Sequence, residues 1–393
     1  MYNIYENKKN DVDKLDKLDK ADKINKINHN DKNDKNNRWS YSTRSDKINF
    51  ISTMHIISLA VVLQFILYEA LPALIYRFVY GFMFFDFFML DEYYYMVSPD
   101  ELYYILYNVV LIFIMVITSF ITCVFLMLCL RKFGPKPDMY EYRDKVSYQF
   151  KLPKNTVALL FAGVCIVQFS VILNMLMNFA LKSIFGISPE SLPDMYFPQT
   201  VFGVILYFIT MVILPAFLEE FIFRYLMLNA LKKYGNAFAI ITTSVLFGFA
   251  HARASAFIYA TAVGIFMAYI AIKTKSMWFP MILHAAINAV SFAFQYVAAL
   301  SFMTGETVDT IYFMFLTFIS LVCLIYLITL IIKRRESGLN APENQVNIKK
   351  SQKLLFFFNI ASIIFFVLVI LKSMEEYGIQ EYENIDMIIR NMM

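Results

Sequence analysis

Charge is scarce in this chain. Only 17% of its 393 residues are Asp, Glu, Lys or Arg, where a soluble domain of this size carries about 25%. With 59% of residues hydrophobic, that deficit excludes an ordinary water-soluble globule and leaves a membrane protein. Glycine and proline are sparse, at 11 each, which permits long uninterrupted helices. The four cysteines (Cys123, Cys129, Cys165 and Cys323) all lie within apolar runs and lack metal-type spacing. They read as buried structural residues and imply neither a disulfide framework nor a cysteine metal site. The net charge is only +4, and no basic stripe interleaves with aromatics, so nucleic acid is not an expected partner. No apolar h-region precedes Phe50, so a cleaved signal peptide is not expected.

What is abundant is apolar and aromatic, including 40 Phe and 26 Tyr. Nine apolar segments run near residues 50–68, 102–130, 156–181, 200–231, 237–252, 256–272, 277–297, 311–332 and 354–371. Most reach the ~20 residues needed to cross a bilayer. The fifth and sixth are short and nearly contiguous, the pattern of a shallow pair. The expected fold is all-α, a multi-pass transmembrane helical bundle of about nine spans with a disordered N-terminal tail.

Positive residues cluster in 1–48, in 131–154, at Lys232 and Lys233, at Lys273 and Lys275, and in 333–353. The alternate connections are poor in Lys and Arg. Several are acidic, with Asp86, Asp91, Glu92, Asp100 and Glu101 in the first. The positive-inside rule then places the N-terminus in the cytoplasm and the C-terminus outside a cell membrane. An odd number of spans fits this alternation.

Residues 1–48 are polar and repeat in threes from Asp13 ("DKL DKL DKA DKI NKI"). Such a segment buries too little surface to offset its ordering and reads as a disordered cytoplasmic tail. Two spans and a cytoplasmic loop fill 49–154, a core fills 155–298, two more spans fill 299–372, and 373–393 is an acidic tail. The aromatic connection 70–101 ("YGFMFFDFFMLDEYYYMV" at its centre) reads as an interfacial anchor.

The stretch "FLEEFIFRYL" (Phe217–Leu226) sets three charges inside the fourth apolar segment. Each costs roughly 2.5–3.5 kcal/mol at a bilayer centre on the insertion scale. Glu220 and Arg224, four residues apart, share a helical face with acid before base. Glu219 points about 100° away from Glu220. The economical reading pairs Arg224 with Glu220 and turns Glu219 towards a polar interior; a buried structural ion network is the alternative.

Two of the four histidines fall nearby. His251 ends the fifth segment, four residues after Phe247, so that ring and imidazole share a face. His284 and Asn288 share a face of the seventh. At ~1.5 Å per residue, Glu219 lies about 20 Å from the Lys232 end, His251 about 22 Å from Asn236 and His284 about 12 Å from Ser276. Allowing for tilt, these groups meet at one depth. His29 and His55 have no polar partners nearby and read as bland.

In order, "EEFIFR" (Glu219–Arg224), "FGFAH" (Phe247–His251) and "HAAIN" (His284–Asn288) resemble the EExxxR, FxxxH and HxxxN/D motifs of the CPBP family. That family includes CAAX prenyl protease 2 and the lysostaphin resistance protein A-like (Abi) proteins. The likeness covers roughly 155–298 and neither the tail nor the two spans at each end. It implies a helical intramembrane endopeptidase in which Glu219 and His251 activate water while His284 and Asn288 stabilise the oxyanion. Glu220, Arg224 and Phe247 are then structural support. Peptide hydrolysis needs a base for water, donors for the oxyanion and an acid for the leaving amine, and these residue types supply them.

The expected partners are a membrane protein or peptide substrate and the lipid bilayer. No cofactor is expected, although zinc stays open: one glutamate and two histidines match a His₂Glu set by type. No HExxH is present, and Asn288 is a poor zinc ligand, so the metal-free glutamate mechanism is preferred. A catalytically silent relative acting in bacteriocin self-immunity or as a partner-binding scaffold retains the same motifs. A transporter would call for repeated halves, and none is apparent.

Overall fold

In the computed structural model, the described residues are 40–41, 43–86, 99–134, 145–153, 155–185, 198, 200–304, 311, 314–322, 325 and 346–375. Helix α1 runs over Arg44–Asp86, α2 over Pro99–Phe133 and α3 over Thr156–Phe185. Then come α4 (Val201–Lys232), α5 (Asn236–Ala250), α6 (Ala254–Thr274) and α7 (Trp278–Thr304). A short α8 (Lys350–Leu354) and α9 (Ile360–Glu375) follow, and residues 314–322 are helical as well. The strands among the described residues are two dipeptides, β1 (Ser40–Tyr41) and β2 (Val346–Asn347), paired in parallel. The protein is all-α and built for a membrane.

Five of these helices are long and apolar enough to cross a bilayer: Ser45–Pro72, Tyr104–Phe133, Val201–Lys232, Ala256–Thr274 and Trp278–Val297. The sixth apolar segment is therefore long enough to span, unlike the shallow element expected of it. Its partner α5 has only 15 residues, about 22 Å of helix, so it stops short of a full crossing.

Two boundaries differ from the sequence expectation. Helix α1 starts at Arg44, inside the stretch assigned to the polar tail. The cause is a reciprocal cap: the Asp46 N–H donates to Thr43 Oγ1 at 3.1 Å, and the Thr43 N–H donates to Asp46 Oδ2 at 3.0 Å. That closes two of the donors a helix start leaves free. The same helix continues to Asp86, so the first half of the 70–101 connection is helical; residues 87–98, like 1–39 and 376–393, lie outside the described residues.

Close approach of backbones sets the α5–α6 hairpin. A Cβ on Gly248 would collide with Thr261 Oγ1, and one on Gly264 would stand 3.2 Å from Ser244 Cα. Small residues let helices touch where lipid supplies no hydrophobic drive between them. The hairpin turns through Ala252, which holds a left-handed φ of 51°. That tight turn puts His251 at its tip.

Candidate active site

Helix α4 is irregular where it carries its charges. Pro215 has no N–H, and its ring excludes the carbonyl four residues back. The chain absorbs this in a wide turn over Ile209–Ile213, where the Leu214 N–H reaches back five residues to the Ile209 carbonyl. A second wide turn, Phe221–Met227, closes with the Leu228 N–H on the Phe223 carbonyl. Such π-turns are rare and gather at functional sites. Glu219 and Glu220 end the regular piece between them, Leu214–Glu220. In a wide turn each residue advances by less than in an α-helix, so Arg224 comes round almost above Glu220.

Arg224 Nε lies 3.1 Å from Glu220 Oε2, and both side chains are fully buried. The pair is close without being aligned, since neither atom has a hydrogen-bond partner; coulombic attraction carries the contact. The guanidinium also donates from Nη2 to the Gly264 carbonyl at 3.5 Å. Its Cζ stands 4.4 Å from the centroid of the Phe247 ring. Stripping a cation of water costs several kcal/mol, so a buried arginine needs such compensation. A counter-ion, a carbonyl and a ring face supply it.

Glu220 has a second partner. His284 Nδ1 donates to Glu220 Oε1 at 3.1 Å, from a side chain only 6% exposed. The other ring nitrogen, Nε2, faces Glu219 Oε2 across 4.0 Å, too far for a hydrogen bond. Glu219 differs from its neighbour in exposure and in having no ion pair as close as 3.1 Å. Its side chain is 35% exposed, and its buried Oε2 has no hydrogen-bond partner.

His251 joins the group through Phe247. Its Nδ1 donates to the Phe247 carbonyl at 2.9 Å, which leaves Nε2 as an acceptor in the neutral ring. The Phe247 ring meets His251 edge to face at 4.9 Å, His284 at 5.7 Å and Phe223 at 5.3 Å. One aromatic side chain therefore touches all three motifs.

The structure thus brings Glu219, Glu220, Arg224, Phe247, His251 and His284 into one cluster. Asn288 is half-buried one turn beyond His284 on α7. His55 is exposed and apart from the cluster. Among the described residues, no three His, Cys, Asp or Glu side chains are grouped so as to hold a metal ion.

Sequence reasoning missed the Glu220–His284 hydrogen bond and the cation over Phe247. Helical spacing relates residues within one helix, and both contacts join different ones. Pro215, inside an otherwise unbroken apolar helix, was the available signal for the wide turns.

Residues 201–290 match the model of a family described as type II CAAX prenyl endopeptidase Rce1-like. The chain is also 34% identical over 106 residues to a protein of Bacillus subtilis (strain 168) named "Putative membrane peptidase YdiL". That match takes in 27% of this chain and 43% of the relative, so the chain spans less than half of the relative's length. No solved structure matches.

Proposed function

We propose that this chain, whose residues 201–290 match the Rce1-like family model, is a CPBP-type intramembrane endopeptidase, hydrolysing a peptide bond of a membrane-associated protein or peptide. One observation carries the reading. Of two adjacent carboxylates, Glu220 is fully buried and held at 3.1 Å by both Arg224 and His284, while Glu219 is 35% exposed and approaches His284 only to 4.0 Å. A cluster built only for stability would tie down both, whereas a general base needs one carboxylate within reach of water.

In the proposed reaction Glu219 takes a proton from water while His251 Nε2 holds that water as an acceptor. The water oxygen bonds to the scissile carbonyl carbon, whose oxygen gains negative charge. The Asn288 amide donates to that oxyanion. So does His284 from Nε2 when both ring nitrogens carry a proton, with Nδ1 bonded to Glu220. The C–N bond then breaks, and Glu219 returns its proton to the leaving amine. Every step uses a group already at the cluster or one turn from it.

Glu219→Gln tests this directly. The amide cannot take the proton, so cleavage of a membrane-peptide library by the purified variant should disappear while its thermal unfolding stays that of the parent. Wild-type turnover in folded Glu219→Gln would remove the proposal.

A further inference from the structure

We infer that Glu220 is a positioning residue for His284, in addition to being the counter-ion of Arg224. This rests on the endopeptidase reading above and assigns the second glutamate of the pair a task in the same site.

The two carboxylate oxygens are divided between two partners. Oε2 meets Arg224 at 3.1 Å, and Oε1 accepts from His284 Nδ1 at 3.1 Å. An ionised carboxylate only accepts, so the proton of that bond belongs to Nδ1. The imidazole plane is held a second time by the Phe247 ring, at 5.7 Å and 83°. With one edge bonded and one face packed, the ring has a single orientation, and Nε2 is the nitrogen left facing Glu219. A flipped ring would present carbon there instead. A partner that holds a catalytic imidazole in one orientation fixes where its second nitrogen lies, and misplacing such a group by about 1 Å costs on the order of 10²-fold in turnover. Arg224 contributes by holding the carboxylate, since an unneutralised Glu220 in this dry position would be strongly unfavourable.

A purely structural Glu220 makes a different forecast from a positioning one, and two double variants separate them. Glu220→Gln with Arg224→Met removes the buried charges and keeps an oxygen to accept from Nδ1. Glu220→Leu with Arg224→Met removes the charges and the acceptor together. The Gln variant should turn over about 10²-fold faster than the Leu variant, with the loss in kcat and KM little changed. Equal kcat in two variants of equal unfolding temperature would overturn the inference.

A second measurement needs no turnover and covers a Leu variant that fails to fold. The chain has four histidines, so nitrogen NMR of the histidine-labelled full-length protein is sparse, and His284→Ala identifies one signal by its loss. His284 should show a protonated Nδ1 in the parent and in the Gln variant. An unprotonated Nδ1 in the folded parent would overturn the inference whatever the activity. Failure of the endopeptidase reading looks different: the parent would cleave no membrane peptide while the His284 signal remained as expected.

Discussion

Phe247 has no reactive atom, yet it touches every charged or titratable residue of the cluster except Glu219 and Glu220. Edge-to-face pairs contribute about 0.5–1.5 kcal/mol beyond burial, and a desolvated cation over a ring about 2 kcal/mol. Phe247→Leu should therefore lower the unfolding temperature and slow turnover together, because the same ring supports Arg224 and both imidazoles. A thermal melt beside a cleavage assay checks this; a change in only one of the two would contradict it. Asn288 poses the opposite case. It lies at the edge of the cluster, so Asn288→Ala should leave the melt unchanged and reduce kcat by about 10²–10³, with little effect on KM. Metal dependence belongs to this scale too. Activity should survive exhaustive chelation, read beside metal content by mass spectrometry; stoichiometric zinc whose removal stops cleavage would replace Glu219 as the activator of water.

At the scale of elements, the site depends on how α4 departs from a regular helix. The two wide turns bracket the glutamates, and the first absorbs the missing donor of Pro215. Pro215→Ala restores that donor and removes the ring clash, so the turn can tighten to an α-helix. Losing the extra residue of a wide turn would rotate one flank of α4 by about 100° relative to the other. The variant should be at least as stable as the parent and at least about tenfold slower, and parental kcat would count against the wide turn as a catalytic feature. The α5–α6 hairpin offers a plainer test. Gly248→Ala places a methyl group against Thr261 and the Phe257 backbone, and overpacking of this kind costs typically about 1–3 kcal/mol. The melt should fall accordingly.

Across the whole molecule, the Lys- and Arg-rich connections meet at one end. Ser147 bridges to Ser276, and Asn229 bonds the Val146 backbone both ways. Phe50 packs on Tyr234, Phe238 on Phe356, and Lys353 stands over Phe238. Helices α1 and α9 run parallel: Ser58 bonds Ser362 at 2.8 Å, and further along both, Glu69 pairs with Lys372 at 3.2 Å. Both helices leave that end. By the positive-inside rule, reporters inserted near Phe150, Gly235, Lys275 and Lys350 should all read cytoplasmic, and one fused after Met393 should read the opposite side. A cytoplasmic C-terminus would mean that one apolar segment does not cross.

Composition alone determined the class of this protein, because 17% charge against 59% hydrophobic residues leaves water no adequate surface to solvate. Spacing determined which charges share a face, and Glu220 does lie against Arg224 as the four-residue interval requires. That Glu219 and His284 come to one level was also legible, since rise per residue is fixed once a helix and its end are known, and the two side chains approach to 4.0 Å. The start of α1 was legible too in Thr43 and Asp46, a capping pair that the polar composition around it concealed. What only the tertiary structure decided is how the helices rotate against one another. That rotation follows from where small residues such as Gly248 and Gly264 let backbones approach and from where Pro215 widens the turn. It gave His284 to Glu220, set Phe247 beneath the arginine and left Glu219 with a free oxygen. Those contacts join residues 23 to 64 positions apart, beyond the reach of any helical period.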